Sequence, residues 1–274
     1  MAGTLYLVGT PIGNLGDISV RAAETLSKVD FIAAEDTRVT IKLLNHLGIK
    51  KPLVSYYAHN ITHSGGKILD RLFSGESCAL VTDAGMPAIS DPGEELVALC
   101  GENGVSVVCI PGPTALVTAL AVSGLPSGRF TFEGFLSTAK KRRFEHLEEL
   151  LSEKRTMIFY EAPHKLNATL ADMLRVWGDR RISISRELTK LYEETMRTTL
   201  TAAVQHFTDV KPRGEFVLVI EGNISDTNTV SLEEAVSAVL KYRDEGMSLK
   251  DAAKRCSTET GISKNTLYTA VLAK

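Results

Sequence analysis

The amino-acid sequence predicts an α/β protein: two α/β domains, a parallel sheet followed by a mixed sheet, with a cleft between them and a small C-terminal helical module. Three observations lead there. Short β-branched runs alternate with longer helical patterns through the first half; the second half keeps the strand-like runs with fewer full helices between them; and after a polar stretch the chain ends in three short helical patterns.

In order, Thr4–Val8, Phe31–Ala34, Leu53–Ser55, Ala79–Thr82 and Val105–Ile110 read as strands. Between them Val20–Val29, Val39–Leu47, Ile61–Phe73 and Glu94–Asn103 carry apolar residues three and four apart. Consecutive parallel strands need such crossovers, so this half is expected to be a parallel sheet covered on both faces. Pro113 suits the first turn of a helix over Thr114–Val122, and Ser123-Gly124-Leu125-Pro126-Ser127-Gly128 then breaks the pattern, which places a first domain at 1–124. Phe130–Phe135, Thr156–Tyr160, Ile182–Ser185, Thr195–Leu200 and Phe216–Ile220 are the next strands, with full helices at Lys140–Leu151 and Ala162–Val176. Incomplete alternation implies some antiparallel neighbours in a second domain at 125–222. Asn223–Thr229 is a polar linker. Leu232–Arg243, Leu249–Ser257 and Lys264–Leu272 then form a helix-turn-helix-like tail over 231–274, with Ser248 and Ser263 as caps and a turn around Thr260-Gly261-Ile262.

The 274 residues are 44% hydrophobic and 23% charged, with 31 Lys and Arg against 33 Asp and Glu. A net charge of −2 excludes a protein held to nucleic acid by bulk charge, though not one with local basic patches. No run approaches the roughly 20 apolar residues of a membrane span, and the N-terminal residues lead straight into a strand, so a cytoplasmic protein is expected. Cys78, Cys100, Cys109 and Cys256 lack CxxC spacing, and the first three lie in or beside apolar runs; buried free thiols are expected. His59, His63 and His164 have no metal-ligand spacing and read as surface residues.

Gly and Pro concentrate after strands one, four and five: Gly9-Thr10-Pro11-Ile12-Gly13-Asn14, Asp83-Ala84-Gly85-Met86-Pro87 running on to Asp91-Pro92-Gly93, and Pro111-Gly112-Pro113-Thr114. Ligands of open α/β sheets bind outside the carboxyl ends of the strands, where such loops let a ligand approach backbone closely. A dinucleotide site fits poorly. The first loop lacks G-x-G-x-x-G spacing, Pro11 removes an N–H, and the helix starts only near Ser19. A crevice rich in backbone and poor in phosphate-binding lysine suits a cofactor without phosphate, such as S-adenosylmethionine.

Val8-Gly9-Thr10-Pro11-Ile12-Gly13-Asn14-Leu15-Gly16-Asp17, Ala34-Glu35-Asp36-Thr37-Arg38, the segment Thr82–Gly93, Pro111-Gly112-Pro113-Thr114-Ala115, Phe159-Tyr160-Glu161-Ala162-Pro163-His164 and Arg186-Glu187-Leu188-Thr189-Lys190 appear in this order over residues 4–221. This string resembles the tetrapyrrole methylase superfamily, specifically its branch that methylates a cytidine 2′-hydroxyl of 16S rRNA. Two departures are mild: Phe135-Leu136-Ser137 where that branch usually reads F-L-P, and Ser185 where it often has Ala. The resemblance implies S-adenosyl-L-methionine folded in the cleft, a homodimer, and 16S rRNA of the small ribosomal subunit as partner. It places the cofactor against Pro11, Asp83, Ala84, Gly85, Met86, Pro87, Ile89, Thr114, Ala115, Phe159, Tyr160, Gly214 and Glu215; the Gly and Pro loops point independently to the first three of these segments.

The reaction implied is a displacement in which a ribose oxygen attacks the sulfonium methyl carbon, so positioning and removal of a proton are the tasks left to protein groups. Glu35, Asp36 and Arg38 at one strand end, and Glu187 and Lys190 in the second half, are the candidate catalytic residues, with Glu161 a further proton acceptor. Salt bridges or a solvated charged face explain the same residues without catalysis. Methylation of a tetrapyrrole is the competing reading, and a non-enzymatic RNA-binding protein a more distant one. The helical tail and Lys140-Lys141-Arg142-Arg143 favour RNA, for which Lys254, Arg255, Lys264, Asn265 and Tyr268 are tail contacts to test.

Overall fold

The computed structural model describes residues 2–57, 60–224, 232–260 and 262–272. His59, Gly261 and the linker positions 225–229 lie outside them. Residues 1–222 form one compact unit and 223–274 a second.

The first unit holds two five-stranded sheets. Strands β1 (Thr4–Val8), β2 (Phe31–Ala34), β3 (Leu53–Ser55), β4 (Cys78–Val81) and β5 (Ser106–Ile110) pair in parallel in the order β3-β2-β4-β1-β5. Alternation splits β2 between two cores. Phe31 and Ala33 face α3 (Ile61–Phe73) and α4 (Glu94–Glu102), while Ile32 and Ala34 face α1 (Val20–Lys28) and α2 (Thr37–His46). Ser19 and Asp36 cap α1 and α2 by accepting from Ala22 and Arg38 N–H.

The second sheet is mixed as expected. Strands β6 (Phe130–Phe135), β7 (Thr156–Glu161), β8 (Arg181–Arg186), β9 (Glu194–Thr199) and β10 (Phe216–Ile220) lie in the order β6-β7-β10-β8-β9, with only β6 and β7 parallel. One face is covered by α6 (Lys140–Glu149), α7 (Leu166–Trp177) and α8 (Leu200–Asp209). The other is covered by α5 (Ala115–Ser123), whose Leu116, Ala119 and Leu120 pack on Ile158, Val217 and Val219. Helix α5 thus precedes the break at 124 in sequence but covers the sheet that follows it, which joins the two sheets in one unit. Helix α8 was not legible because Thr199 ends β9 and caps α8 at once, leaving no turn signal between them.

All four cysteines are free, and Cys109 departs from expectation by being exposed. Its strand β5 is an edge of the first sheet, so an apolar run there is not buried on all sides. Among the described residues no His, Cys, Asp and Glu group could hold a metal, and no helix is long and apolar enough to cross a membrane.

The second unit contains α9 (Leu232–Asp244), α10 (Leu249–Thr260) and α11 (Lys264–Leu272) around a core of Ala235, Val236, Val239, Ala252, Ala253, Cys256, Leu267 and Val271. Ser248 Oγ accepts from Asp251 N–H at 3.2 Å and Ser263 Oγ from Thr266 N–H at 3.2 Å, so both expected caps form.

Candidate active site

The loops after β1, β4 and β5 meet at one edge of the first sheet. Gly9 and Gly112 are in backbone contact, a Cβ on Gly9 falling 2.7 Å from Gly112 Cα, so neither position has room for a side chain. Thr10 and Gly85 exchange both backbone hydrogen bonds, at 2.9 and 3.1 Å, and Thr10 Oγ1 donates to Thr82 O. Gly85 adopts φ +93°.

This edge faces the second sheet across a cavity of about 480 Å³. Ile12, Ala84, Gly85, Met86, Ile89, Ser90, Asp91, Thr114 and Ala115 line one side; Phe135, Tyr160, Glu161, Ala162, Pro163, Leu188, Glu215, Phe216 and Val217 line the other. Tyr160 is half-buried, stacks edge-on against Phe132 and Phe135, and accepts a hydrogen bond at Oη from Leu116 N–H at 3.1 Å. Burial raises its phenol above the ordinary range.

Of the thirteen residues expected around a cofactor, Ala84, Gly85, Met86, Ile89, Thr114, Ala115, Tyr160 and Glu215 line the cavity. Pro11, Asp83, Pro87, Phe159 and Gly214 do not. Phe159 is fully buried against Trp177 and α7, because neighbours on a strand point to opposite faces and Tyr160 takes the cavity side. Asp83 turns its carboxylate to Asp36 N–H at 3.1 Å. Gly214 instead packs on Glu187, whose Oε1 would lie 2.5 Å from a Cβ placed there.

Glu35, Asp36 and Arg38 form one cluster and Glu187 and Lys190 another, and none of these five lines the cavity, though Glu215 beside the second cluster and Glu161 do. At the ends of β2 and β4, Asp36 holds Arg38 through both carboxylate oxygens, with Nη2 2.6 Å from Oδ2, and these bonds keep its carboxyl down at about 2. Glu35 Oε2 accepts from Asp83 N–H, and burial raises both carboxyls. In the second cluster Lys190 Nζ bridges Glu187 Oε1 and Glu215 Oε2 at 3.0 Å each. Burial pushes Glu187 up, but Lys190 and Glu215 N–H together hold its carboxyl below the ordinary range. Gly13 packs against this turn, its would-be Cβ 2.5 Å from Lys190 Cγ. Glu161 is committed: its carboxylate accepts from the Thr169 hydroxyl and from Ala162 N–H and pairs with Lys165 at 3.2 Å. Arg143 of the basic run is likewise held by Asp172 at 2.7 Å, whereas Lys140, Lys141 and Arg142 are exposed.

Asp91 is the residue sequence reasoning passed over. It lines the cavity, and burial, reinforced by the Glu35 and Asp83 charges, raises its carboxyl to about 6. In the structure its loop is marked by backbone strain. Ala88, Ser90, Glu187 and Thr189 are the non-glycine residues with positive φ among the described residues, at 66°, 65°, 52° and 66°. Two precede Asp91 and two precede Lys190; such conformations persist where surrounding structure over-determines them, typically at functional sites.

The family of tetrapyrrole (corrin/porphyrin) methylases matches residues 4–204, most of the first unit with every loop just described. The chain belongs to that family. The "RsmI C-terminal HTH domain" family matches residues 230–274. A protein of Halalkalibacterium halodurans named ribosomal RNA small subunit methyltransferase I is 50% identical over 273 residues, 97% of this chain and 93% of its own. One of the same name from Thermotoga maritima is 49% identical over 220 residues, 80% of this chain and 99% of its own, a length with no room for both units. Among solved structures, a cobalt precorrin-4 methyltransferase superposes with TM-score 0.58 at 20% identity over 79% of this chain and 94% of its own, which speaks to the fold alone.

Proposed function

We propose that the chain is an S-adenosylmethionine-dependent methyltransferase acting on 16S rRNA of the small ribosomal subunit, with a cytidine ribose 2′-hydroxyl as acceptor. The observation that carries this reading is the charge of the cavity. Asp91, Glu161 and Glu215 are its carboxylic acids, and among the described residues no Lys or Arg lines it. Lys165 and Lys190 already neutralise Glu161 and Glu215, which leaves Asp91 as the acid that disfavours a phosphate and favours the sulfonium or ammonium of a cationic cofactor. The relatives' name supplies the substrate class, and the motif string supplies the ribose acceptor. A homodimer in the cytoplasm belongs to the same reading.

The residues present fit such a cofactor. Backbone at Gly85 and Thr114 can be approached closely, Tyr160 offers a flat face, and Ile12, Met86, Ile89 and Val217 supply apolar walls. When bound, the cofactor supplies an activated methyl group on a good leaving sulfur. The protein must then orient the acceptor oxygen and receive its proton. Asp36 and Glu187 are held too acidic for that by their partners, and Glu161 is already bonded. Asp91 lines the cavity with a carboxyl near 6, matched to accepting a proton near neutral pH, directly or through one water.

Incubation with methyl-labelled cofactor and purified small subunits lacking the modification tests the function. Label is expected in rRNA, and nuclease plus alkali should leave a resistant dinucleotide, because 2′-O-methylation blocks attack on the neighbouring phosphate. Label on a free base would refute the ribose acceptor. Label on a uroporphyrinogen-type substrate alone would favour the tetrapyrrole reading.

A further inference from the structure

We propose that the face made by the turn 187–193 and the segment 210–214 grips the RNA strand flanking the acceptor nucleotide, with Lys211 and Arg213 on phosphates and Tyr192 stacked on a base. This rests on the RNA methyltransferase reading and adds the place where the strand runs. Two adjoining recesses, of about 180 and 360 Å³, share Arg186 and Arg213. The first adds His206, Lys211 and Phe216; the second adds Tyr192. Phe216 also lines the main cavity, and Gly214 in the second recess is one residue from cavity-lining Glu215, so the face begins where the cavity ends.

Charge distribution selects the occupant. The acids of this face are already engaged: Glu194 by Arg186 at 3.0 Å, Glu187 by Lys190, and Glu193 by Thr189 N–H at 2.7 Å. Lys211 and Arg213 are exposed and have no ion pair among the described residues. Arg186 Nε is buried without a hydrogen-bond partner. Cations left over after internal pairing are what a phosphate backbone uses.

The turn presents its apolar side chains outward without being loose. Leu191 is 88% and Tyr192 71% exposed, yet Lys190 N–H bonds Glu187 O at 3.0 Å and Glu193 N–H bonds Lys190 O at 3.1 Å. Two left-handed residues, Glu187 and Thr189, fix its shape. A rigid turn holding an aromatic ring in water beside unpaired cations matches the stacking-plus-phosphate pattern of single-strand RNA recognition.

The test uses the full-length protein, a fluorescently labelled single-stranded RNA carrying the acceptor sequence, and small subunits as methyl acceptor. Lys211→Ala with Arg213→Ala should weaken RNA binding about tenfold or more. Its slope of log affinity against log salt should flatten by about 1.4, two contacts at roughly 0.7 each. Tyr192→Ala should weaken binding roughly fivefold or more with the slope unchanged, and Tyr192→Phe should restore it, since stacking needs only the ring. All variants should bind the cofactor as wild type does in calorimetry, which also reports folding. Wild-type RNA affinity and salt slope in the variants would overturn the grip while leaving the methyltransferase reading intact. A wild-type protein that neither binds nor methylates RNA would overturn both. Variants that keep RNA affinity but lose self-association in sedimentation would assign the face to a second copy of the chain and so also overturn the proposal.

Discussion

Two strained loops border the cavity, and they treat their carboxylates in opposite ways. In 83–93, Asp91 is half-buried near the Glu35 and Asp83 charges, with no ion pair among the described residues, and its carboxyl rises to about 6. In 187–193, Lys190 sits between Glu187 and Glu215, and the Glu187 carboxyl falls. Both loops contain two left-handed non-glycine residues. The same local cost, of order 1–3 kcal/mol per residue, therefore supports two different ends. One loop keeps an acid uncompensated, ready for a cation or a proton; the other clamps its acids shut and holds the first loop's neighbour Gly13 against the second sheet.

The sharpest way to break this contrast is Asp91→Asn. It should lower methyl transfer about a hundredfold or more, the usual contribution of a positioned base. Its stability should move the other way. Because the folded-state carboxyl is raised, the native protein binds more protons than the unfolded chain between about pH 4 and 6, so stability is lost as pH rises through that window. The Asn variant escapes this loss and should melt higher than wild type at pH 7.5, as scanning calorimetry would register. A lower melting temperature together with full activity would remove Asp91 from its role.

Gly85→Val comes next. The space around a Cβ there is ordinary, with Ile12 Cγ2 at 3.6 Å, so the penalty comes from φ +93° and from a branched side chain in the cavity wall. Cofactor affinity should fall at least tenfold with circular dichroism unchanged; unaltered affinity would sink the placement of the cofactor against this loop.

Lys190→Ala probes the clamped loop and should act more weakly. It leaves Glu187 and Glu215 without their shared cation, but Glu215 is exposed and the pairing is solvent-screened. A melting-temperature decrease of a few degrees and a change of several-fold in cofactor KM are expected, with the Asp91-dependent pH limb retained. A loss of activity as large as that of Asp91→Asn would make the two loops equivalent and end the contrast.

The smallest effect on chemistry is expected from removing 231–274. The Thermotoga maritima relative aligns over 220 residues, nearly its whole length, so the family's shared core does not require a second unit. Cofactor affinity should persist, while RNA or subunit binding weakens if Lys254, Lys264 and Tyr268 contribute, and becomes less salt-sensitive through the two lysines alone. Arg255 is already shared between Glu259 and the Tyr242 ring and should contribute less. Equal RNA affinity and equal salt slopes in the two proteins would assign the tail to packing or assembly.

Most elements were legible because period and punctuation agree locally: strand Phe31–Ala34 and helix Ile61–Phe73 stand where the pattern puts them. The cavity's first-sheet side was legible from Gly85 and Thr114 for the same reason, since Gly and Pro mark strand ends. Opposing strand faces were not used, although Phe159 and Tyr160, being adjacent on β7, cannot both face a ligand. Asp91 was not legible as distinct from Asp83, because the difference between them lies in burial and hydrogen bonding: Asp83 accepts from Asp36 N–H, while Asp91 faces the cavity. The pairing of Lys190 with Glu215 spans 25 positions, and no local pattern announces it.

We propose that Asp91, an acid without an ion pair among the described residues, serves methyl transfer to ribosomal RNA. The pH dependence of kcat/KM for methyl transfer to small ribosomal subunits tests it most directly. The rate should rise about tenfold per pH unit below an apparent pKa of about 6 and level off by about pH 7. A rate flat from pH 5 to 8, with subunits intact throughout, would contradict it.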